Sequence, residues 1–164
     1  MKRLLIIRHA KSSWDNPQLS DFDRPLNKRG KNDLPDMARR LKSKNFRIDY
    51  FLSSPTKRAL ITAIGHAQTF GVQERDIAKN QRLYHASSSE IQSLVSQTPK
   101  NIQTLALFGH NPGLTDLINN ISDFELLNLP TCAVCGIEFN ISDWTNILSQ
   151  KGKMFLYDYP KSTR

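Results

Sequence analysis

The hydrophobic residues of this chain fall into short blocks with two alternating periods. Apolar runs at residues 3–7, 49–53 and 104–108 predict buried strands. The segments that follow them carry apolar residues at the three- and four-residue spacing of helices, as at Leu34, Met37 and Leu41. Alternating strands and helices predict an α/β fold, a three-layer α/β/α sandwich with a mostly parallel sheet.

Four helices are predicted, at residues 27–44, from Ser54-Pro55 to about Phe70, at 88–97, and from Asn111-Pro112 to about Ile121. The second and fourth begin with a capping residue before a proline. Pro35 lies inside the first, so that helix either kinks there or begins near Asp33. Residues 133–139 and 154–159 predict two closing strands, which allow an antiparallel edge.

The length of 164 residues suits one domain, which we take to span residues 1–164. A hydrophobic fraction of 38% and a charged fraction of 23% are ordinary for a globular protein. No apolar run approaches the roughly 20 residues that cross a bilayer, and the N-terminal run is too short for a secretory signal. We therefore expect a cytoplasmic protein without a membrane partner.

The net charge of +8 suits anionic partners such as phosphoesters, nucleic acid or acidic proteins. The basic residues between Lys28 and Lys44 are scattered over predicted helix positions. They fit a solvated face or, less well, a docking surface. Basic and aromatic residues are not interleaved in the way that stacks bases, so no nucleic-acid partner is expected.

Cys132 and Cys135 form a C-x-x-C pair, but the sequence has no second pair to complete a zinc site. The predicted strand places them on opposite faces, which indicates two reduced thiols. No cluster of acidic residues and histidines has metal-ligand spacing. We therefore expect no metal and no other cofactor.

Polar and cationic residues follow three of the predicted strands. Arg8-His9 ends the first, residues 53–58 with Arg58 follow the second, and Gly109-His110 ends the third. Because parallel strands meet with their carboxyl ends at one edge, two arginines and two histidines would converge there. Helix N-termini at the same edge add unpaired N–H groups. The sequence thus predicts a site for a dianionic phosphoryl group, occupied by phosphate or sulfate.

The chain resembles the histidine phosphatase superfamily, which also contains the phosphoglycerate mutases, and within it the phosphohistidine phosphatases of SixA type. The resemblance extends from residue 4 to about 139. The segments at 5–12 and 53–63 are specific for the superfamily, and those at 23–30 and 129–133 favour the SixA-like branch. The segment at 109–112 also matches. This implies a phosphoglycerate mutase-like fold.

The resemblance also implies roles for individual residues. His9 would be the nucleophile that takes the phosphoryl group, and Arg8, Arg58 and His110 would bind its oxygens. Arg24 and Asn111 are weaker candidates for substrate binding. His9 must attack through an unprotonated nitrogen, so we expect its other nitrogen to be held as a donor. Neighbouring cations should lower its pKa.

One departure from the family bears on the substrate. Mutase-like members carry a carboxylic acid from the middle of the chain, which protonates an alkoxide leaving group. No acid stands near Tyr84, and Glu90 follows a serine as a helix-capping residue. Alkyl phosphates should therefore be poor substrates, whereas the imidazole of a phosphohistidine can leave as a neutral ring. With residues 70–88 too short for a lid, this favours phosphohistidine on a protein as the substrate of a metal-independent phosphatase.

Two other functions stay open. A phosphatase of a small phosphorylated metabolite or an aryl phosphate would need His85 or Glu90 at the leaving group. A non-catalytic phosphate-recognition module would lack the nucleophile, and His9 is present. His66 and His85 have no partner motif, so we expect them to be structural or surface residues.

Overall fold

Six strands of this protein form one sheet, seen in a computed structural model that describes residues 1–162. The strands are β1 (Lys2–Arg8), β2 (Tyr50–Ser53), β3 (Ile77–Lys79), β4 (Thr104–Gly109), β5 (Val134–Phe139) and β6 (Lys153–Asp158). Their order is β3-β2-β4-β1-β5-β6. β1 pairs in parallel with β4, and β5 runs antiparallel to both β1 and β6. The predicted fold class, including the antiparallel edge, is confirmed.

Helices cover both faces of the sheet. The structure places α1 at Lys28–Lys42, α2 at Lys57–Thr69, α3 at Ser88–Ser96 and α4 at Gly113–Ile121. Core side chains of α1 and α2 pack on one face, and those of α3 and α4 pack on the other. Leu4 of β1 joins the α3–α4 side and Leu5 joins the α1–α2 side, with no exposed surface on either. Burial on both faces explains the continuous apolar run in β1.

The predicted starts of α2 and α4 are wrong, whereas α1 starts within one position of the predicted residue 27. α4 begins at Gly113 with Pro112 as its N-cap, so Pro112 is not the first helical position. α2 begins at Lys57 with Thr56 as its N-cap, because Ser54 and Pro55 first carry the chain away from β2. α1 does not begin near Asp33: it starts at Lys28, where the Asn27 side chain accepts a 2.8 Å hydrogen bond from the Gly30 amide, and it continues past Pro35. The cap compensates for the hydrogen bond that a proline removes from the helix interior.

The short edge strand β3 was not predicted. It has three residues, of which only Ile77 is buried, too few for a visible apolar pattern. By contrast, the serine cap before Glu90 in the first turn of α3 is confirmed, and Ser87 and Glu90 form a capping box in which each side chain accepts a hydrogen bond from the backbone of the other.

The two cysteines lie on opposite sides of the sheet, as predicted. Cys132 packs on the α1–α2 side and Cys135 on the α3–α4 side, and both are unpaired thiols. Burial raises the pKa of each thiol to about 12, so neither is a nucleophile. Within residues 1–162, no helix combines the length and the apolar character needed to cross a membrane.

Candidate active site

A cavity of about 370 Å³ opens where β1, β2 and β4 end at the edge of the sheet. All six residues proposed from the sequence lie in its wall: Arg8, His9, Arg24, Arg58, His110 and Asn111. The wall also includes His85, which the sequence analysis considered only for an alternative function, and six residues that were not proposed: Lys11, Ser12, Trp14, Asp21, Tyr84 and Thr131. Topology brings them together, because β1 and β4 are parallel neighbours in which Arg8 pairs with Gly109.

His9 follows β1 directly and is only 7% exposed. Its Nδ1 lies 2.8 Å from the carbonyl oxygen of Ala10, which can only accept, so Nδ1 carries the proton and Nε2 has a free lone pair. Burial lowers the pKa of His9 to about 3, and Arg58 and Arg8 act in the same direction. Cations thus contribute as expected, but burial is the larger cause. A neutral, oriented imidazole can act as a nucleophile.

The second histidine, His110, follows β4, and its ring centroid lies 5.2 Å from that of His9. Its Nε2 is 2.8 Å from the Ser54 hydroxyl and 3.3 Å from the Thr56 hydroxyl. Burial lowers the pKa of His110 to about 3, so the ring is neutral at pH 7. Its Nδ1 is buried without a partner among the described residues.

Arg8 and Arg58 supply the guanidinium groups of the pocket. Arg8 ends β1, and its Nη1 donates a 2.9 Å hydrogen bond to the Leu129 carbonyl, which fixes the side chain. Arg58 lies in the first turn of α2 and is 5% exposed. The Nε atoms of both are buried without a partner among residues 1–162. Two oriented guanidinium groups suit the oxygens of a phosphoryl group.

Asp21 is the main residue that the sequence argument missed. Its Oδ2 accepts hydrogen bonds from Arg58 Nη2 at 3.0 Å and from the Tyr84 hydroxyl at 2.6 Å. Its Oδ1 accepts one from Arg24 Nε at 3.1 Å. The hydrogen bond from Tyr84, followed by the contacts with Arg58, holds the pKa of Asp21 well below its usual range. The sequence offered one signal for Asp21, an acidic residue three positions before Arg24, but the segment around it has no hydrophobic periodicity that would place it.

Arg24 and Asn111 line the pocket, but protein groups already engage their polar atoms. Arg24 Nη1 donates to the Ser12 hydroxyl at 2.9 Å, and its guanidinium lies 3.5 Å from the centroid of the Trp14 ring. The Asn111 amide donates to the Leu129 carbonyl, and its oxygen accepts from the Thr115 amide. These contacts fix the loops around the cavity. Phosphate binding by either residue stays a prediction.

Tyr84 and His85 form one side of the pocket. Their ring centroids are 3.9 Å apart. His85 was expected to be a structural or surface residue. It is exposed, but it faces the cavity. Glu90 is absent from the wall and serves the α3 cap. Gly113 permits this arrangement, because a Cβ there would lie 2.3 Å from the Ala86 carbonyl oxygen.

Six cationic or ionisable nitrogen side chains and one carboxylate dominate the wall around His9: Arg8, Lys11, Arg24, Arg58, His85, His110 and Asp21. Such a site attracts a dianion and can neutralise its oxygens. Among residues 1–162, no three His, Cys, Asp or Glu side chains are grouped so that they could hold a metal ion. The groups in the wall that can bind phosphoryl oxygens are guanidinium, ammonium, imidazole and N–H groups.

Comparison with known proteins places this site in a family. The family model of the histidine phosphatase superfamily (branch 1) matches residues 4–85, which is half of the chain. An uncharacterized chloroplastic protein of Arabidopsis thaliana is 29% identical over 160 residues, covering 92% of this chain and 72% of that protein.

Solved structures share the fold over nearly the whole chain. A putative phosphohistidine phosphatase SixA from Agrobacterium tumefaciens has a TM-score of 0.82 at 23% identity, covering 97% of this chain and 98% of that one. A protein histidine phosphatase SixA complexed with tungstate has a TM-score of 0.77 at 20% identity, covering 96% and 97%. On the family match, the chain belongs to the histidine phosphatase superfamily, branch 1, and is a phosphatase.

Proposed function

We propose that this phosphatase removes the phosphoryl group from phosphohistidine on a protein, through a covalent intermediate on His9. The observation that carries the proposal is the 2.8 Å hydrogen bond from His9 Nδ1 to the Ala10 carbonyl, which leaves Nε2 unprotonated inside the cationic pocket. Phosphoryl transfer depends mainly on such positioning and on charge neutralisation.

The reaction has two displacements at phosphorus. In the first, His9 Nε2 forms a bond to phosphorus while the bond to the leaving group breaks. In the second, water attacks phosphorus, the bond to Nε2 breaks, and inorganic phosphate is released. Arg8, Arg58 and His110 bind the phosphoryl oxygens in both steps, and the carbonyl of Ala10 keeps the His9 ring in one orientation.

A phosphohistidine side chain fits two features of the pocket. First, neither carboxylic acid near the site can donate a proton, since Asp21 is held ionised and Glu90 is outside the wall. A protonated imidazole leaves as a neutral ring without such an acid. Second, the rim is open, with Trp14 72% exposed, so a side chain on a protein surface can enter. The similar folds that are named phosphohistidine phosphatases support the same substrate.

Hydrolysis of a small monoester, such as an aryl phosphate or a phosphorylated metabolite, is the second candidate. The position of His85 in the pocket wall favours it, because an imidazole there can reach a leaving oxygen. The two candidates differ in the relative rates of a phosphohistidine protein and an alkyl monoester. Faster turnover of the alkyl monoester would overturn the phosphohistidine proposal.

The nucleophile is tested by trapping the intermediate. Brief incubation with a 32P-labelled phosphohistidine protein, followed by denaturation in alkali, should leave label on the wild-type chain, because phosphohistidine survives alkali. His9→Gln should show no label and no turnover, whereas His66→Gln, the matched histidine variant outside the pocket, should still be labelled. Label on the His9→Gln chain would contradict the assignment.

The proposal includes a reducing compartment such as the cytoplasm as the place where the enzyme works. Cys132 and Cys135 are unpaired and buried on opposite sides of the sheet, so the fold uses no disulfide between them. Fractionation of cells that carry the tagged chain tests this location, and recovery of the chain outside the cytoplasm would contradict it.

A further inference from the structure

His85 combines an uncommon backbone conformation with a place in the pocket wall. Its backbone has a φ of 58°, in the left-handed region that non-glycine residues rarely adopt. Residues held in such conformations cluster at functional sites. Its ring lies 3.9 Å from that of Tyr84, measured between centroids, and it faces the cavity. No hydrogen bond within residues 1–162 engages its ring nitrogens.

The two displacements at His9 also require a group that takes a proton from the attacking water and, where the leaving atom is the oxygen of a monoester, a proton for that oxygen. Most ionisable groups in the wall cannot do this. Burial lowers the pKa of His9 and of His110 to about 3, so neither carries a spare proton at neutral pH. The Tyr84 hydroxyl and the contacts with Arg58 keep Asp21 ionised. The hydrogen bond to Asp21 in turn raises the pKa of Tyr84.

Two other proton carriers in the wall are His85 and Lys11, since arginine keeps its proton at any relevant pH. A lysine ammonium is a weaker acid than an imidazolium and returns its proton less readily. Imidazole is the side chain that ordinarily exists in both protonation states between pH 5 and 8. Of these two residues, the exposed His85 is therefore the candidate proton carrier.

We propose that His85 is a further catalytic residue, which takes a proton from the attacking water and, with a monoester, donates a proton to the oxygen that leaves phosphorus. The inference rests on the function proposed above. As the bond between phosphorus and the leaving oxygen of a monoester breaks, that oxygen takes the proton of the His85 imidazolium, and His9 Nε2 bonds to phosphorus. A phosphohistidine ring that carries a proton on its other nitrogen leaves as a neutral ring without this proton. In the second step the neutral His85 ring takes a proton from the attacking water. Inorganic phosphate leaves, and both histidines return to their starting states.

The proposal predicts that loss of His85 matters only when the leaving group needs a proton. Phenyl phosphate and p-nitrophenyl phosphate have nearly the same shape, but phenolate is much the more basic leaving group. In His85→Gln, kcat/KM for phenyl phosphate should fall about 100-fold, the lower end of the usual contribution of general acid catalysis. For p-nitrophenyl phosphate it should change by less than about threefold. This ratio reports the first displacement and is independent of the later hydrolysis.

Two further variants control for structure. His85→Asn tolerates the left-handed backbone and also lacks a titrating ring, so it should show the same selective loss. Glu90→Gln keeps the capping box and should leave both rates unchanged. An equal fall with both esters, or no fall with phenyl phosphate, would overturn the role of His85. A wild-type chain that takes no label on His9 would instead overturn the proposed function and this inference with it.

Discussion

Asp21 holds both terminal nitrogens of the Arg58 guanidinium. Its main-chain carbonyl accepts from Nη1 at 2.5 Å, and its carboxylate accepts from Nη2 at 3.0 Å. These are the donors that a phosphoryl group would otherwise use, because Arg58 Nε is buried. The carboxylate therefore positions the guanidinium and also competes with the substrate for it. An ionised carboxylate beside a dianion repels it.

Replacement of the Asp21 charge should strengthen phosphate binding. Asp21→Asn keeps an oxygen that can accept from Arg58 but removes the negative charge. We expect the inhibition constant of inorganic phosphate to fall about tenfold, a modest value for one unit of charge in a pocket. Asp21→Ala also loses the positioning contact and should bind phosphate more weakly than Asp21→Asn. Equal inhibition constants for the wild type and both variants would contradict this competition.

Arg58 should not be replaceable by lysine. A lysine carries the charge but lacks the planar fork that Asp21 and a phosphoryl group engage. We expect Arg58→Lys to lower kcat/KM by about 100-fold, as for other losses of an oriented donor. Its neighbour Lys57 is exposed and supplies the matched control. Lys57→Ala should leave kcat/KM within about twofold of the wild type, and a similar loss in both variants would point to a general charge effect.

His66 should make the fold sensitive to acid. The ring is fully buried, packs against Phe108, and has no partner for either nitrogen among the described residues. Burial lowers the pKa of His66 from 6.5 to about 4. Because the unfolded state binds the proton more readily, the free energy of unfolding falls as the pH drops from about 6.5 towards 4.

His66→Leu should remove that share of the pH dependence. In denaturant titrations, the free energy of unfolding of His66→Leu minus that of the wild type should increase by about 3 kcal/mol from pH 7 to pH 4. His9 and His110 are also held neutral, so both proteins should keep some residual loss of stability in acid. A difference that is constant with pH would show that the titration of His66 does not matter.

Gly113 should be intolerant of alanine. A Cβ at this position would lie 2.3 Å from the carbonyl oxygen of Ala86, the residue after His85, and backbone atoms cannot move cheaply. We expect Gly113→Ala to cost about 2 kcal/mol in unfolding free energy and to lower kcat/KM by displacing the Tyr84–His85 wall. Gly109→Ala is the control, since its nearest new contact is a Leu114 side-chain atom at 3.5 Å. Equal stability of both variants would contradict the close approach.

The amino-acid sequence by itself determined the framework of this protein. The continuous apolar runs of β1 and β4 predict strands that are buried on both faces. The alternation of strands and helices then predicts a sheet covered by helices on both sides. The same patterns also place Arg8, His9, Arg58 and His110 just after the strands, at one edge of a parallel sheet. Where each element ends follows from chain periodicity, whereas the strand order that makes these residues neighbours is a property of the tertiary structure.

Only the tertiary structure decided what surrounds His9. The contact between Asp21 and Tyr84 joins residues 63 positions apart, and His85 reaches the cavity through a left-handed backbone and the close approach of α4 at Gly113. Such residues lie in loops, where no hydrophobic period constrains them. Their positions follow instead from packing and from the satisfaction of buried polar groups, which depend on the whole chain. The same packing sets the pKa of His9 to about 3, chiefly through burial.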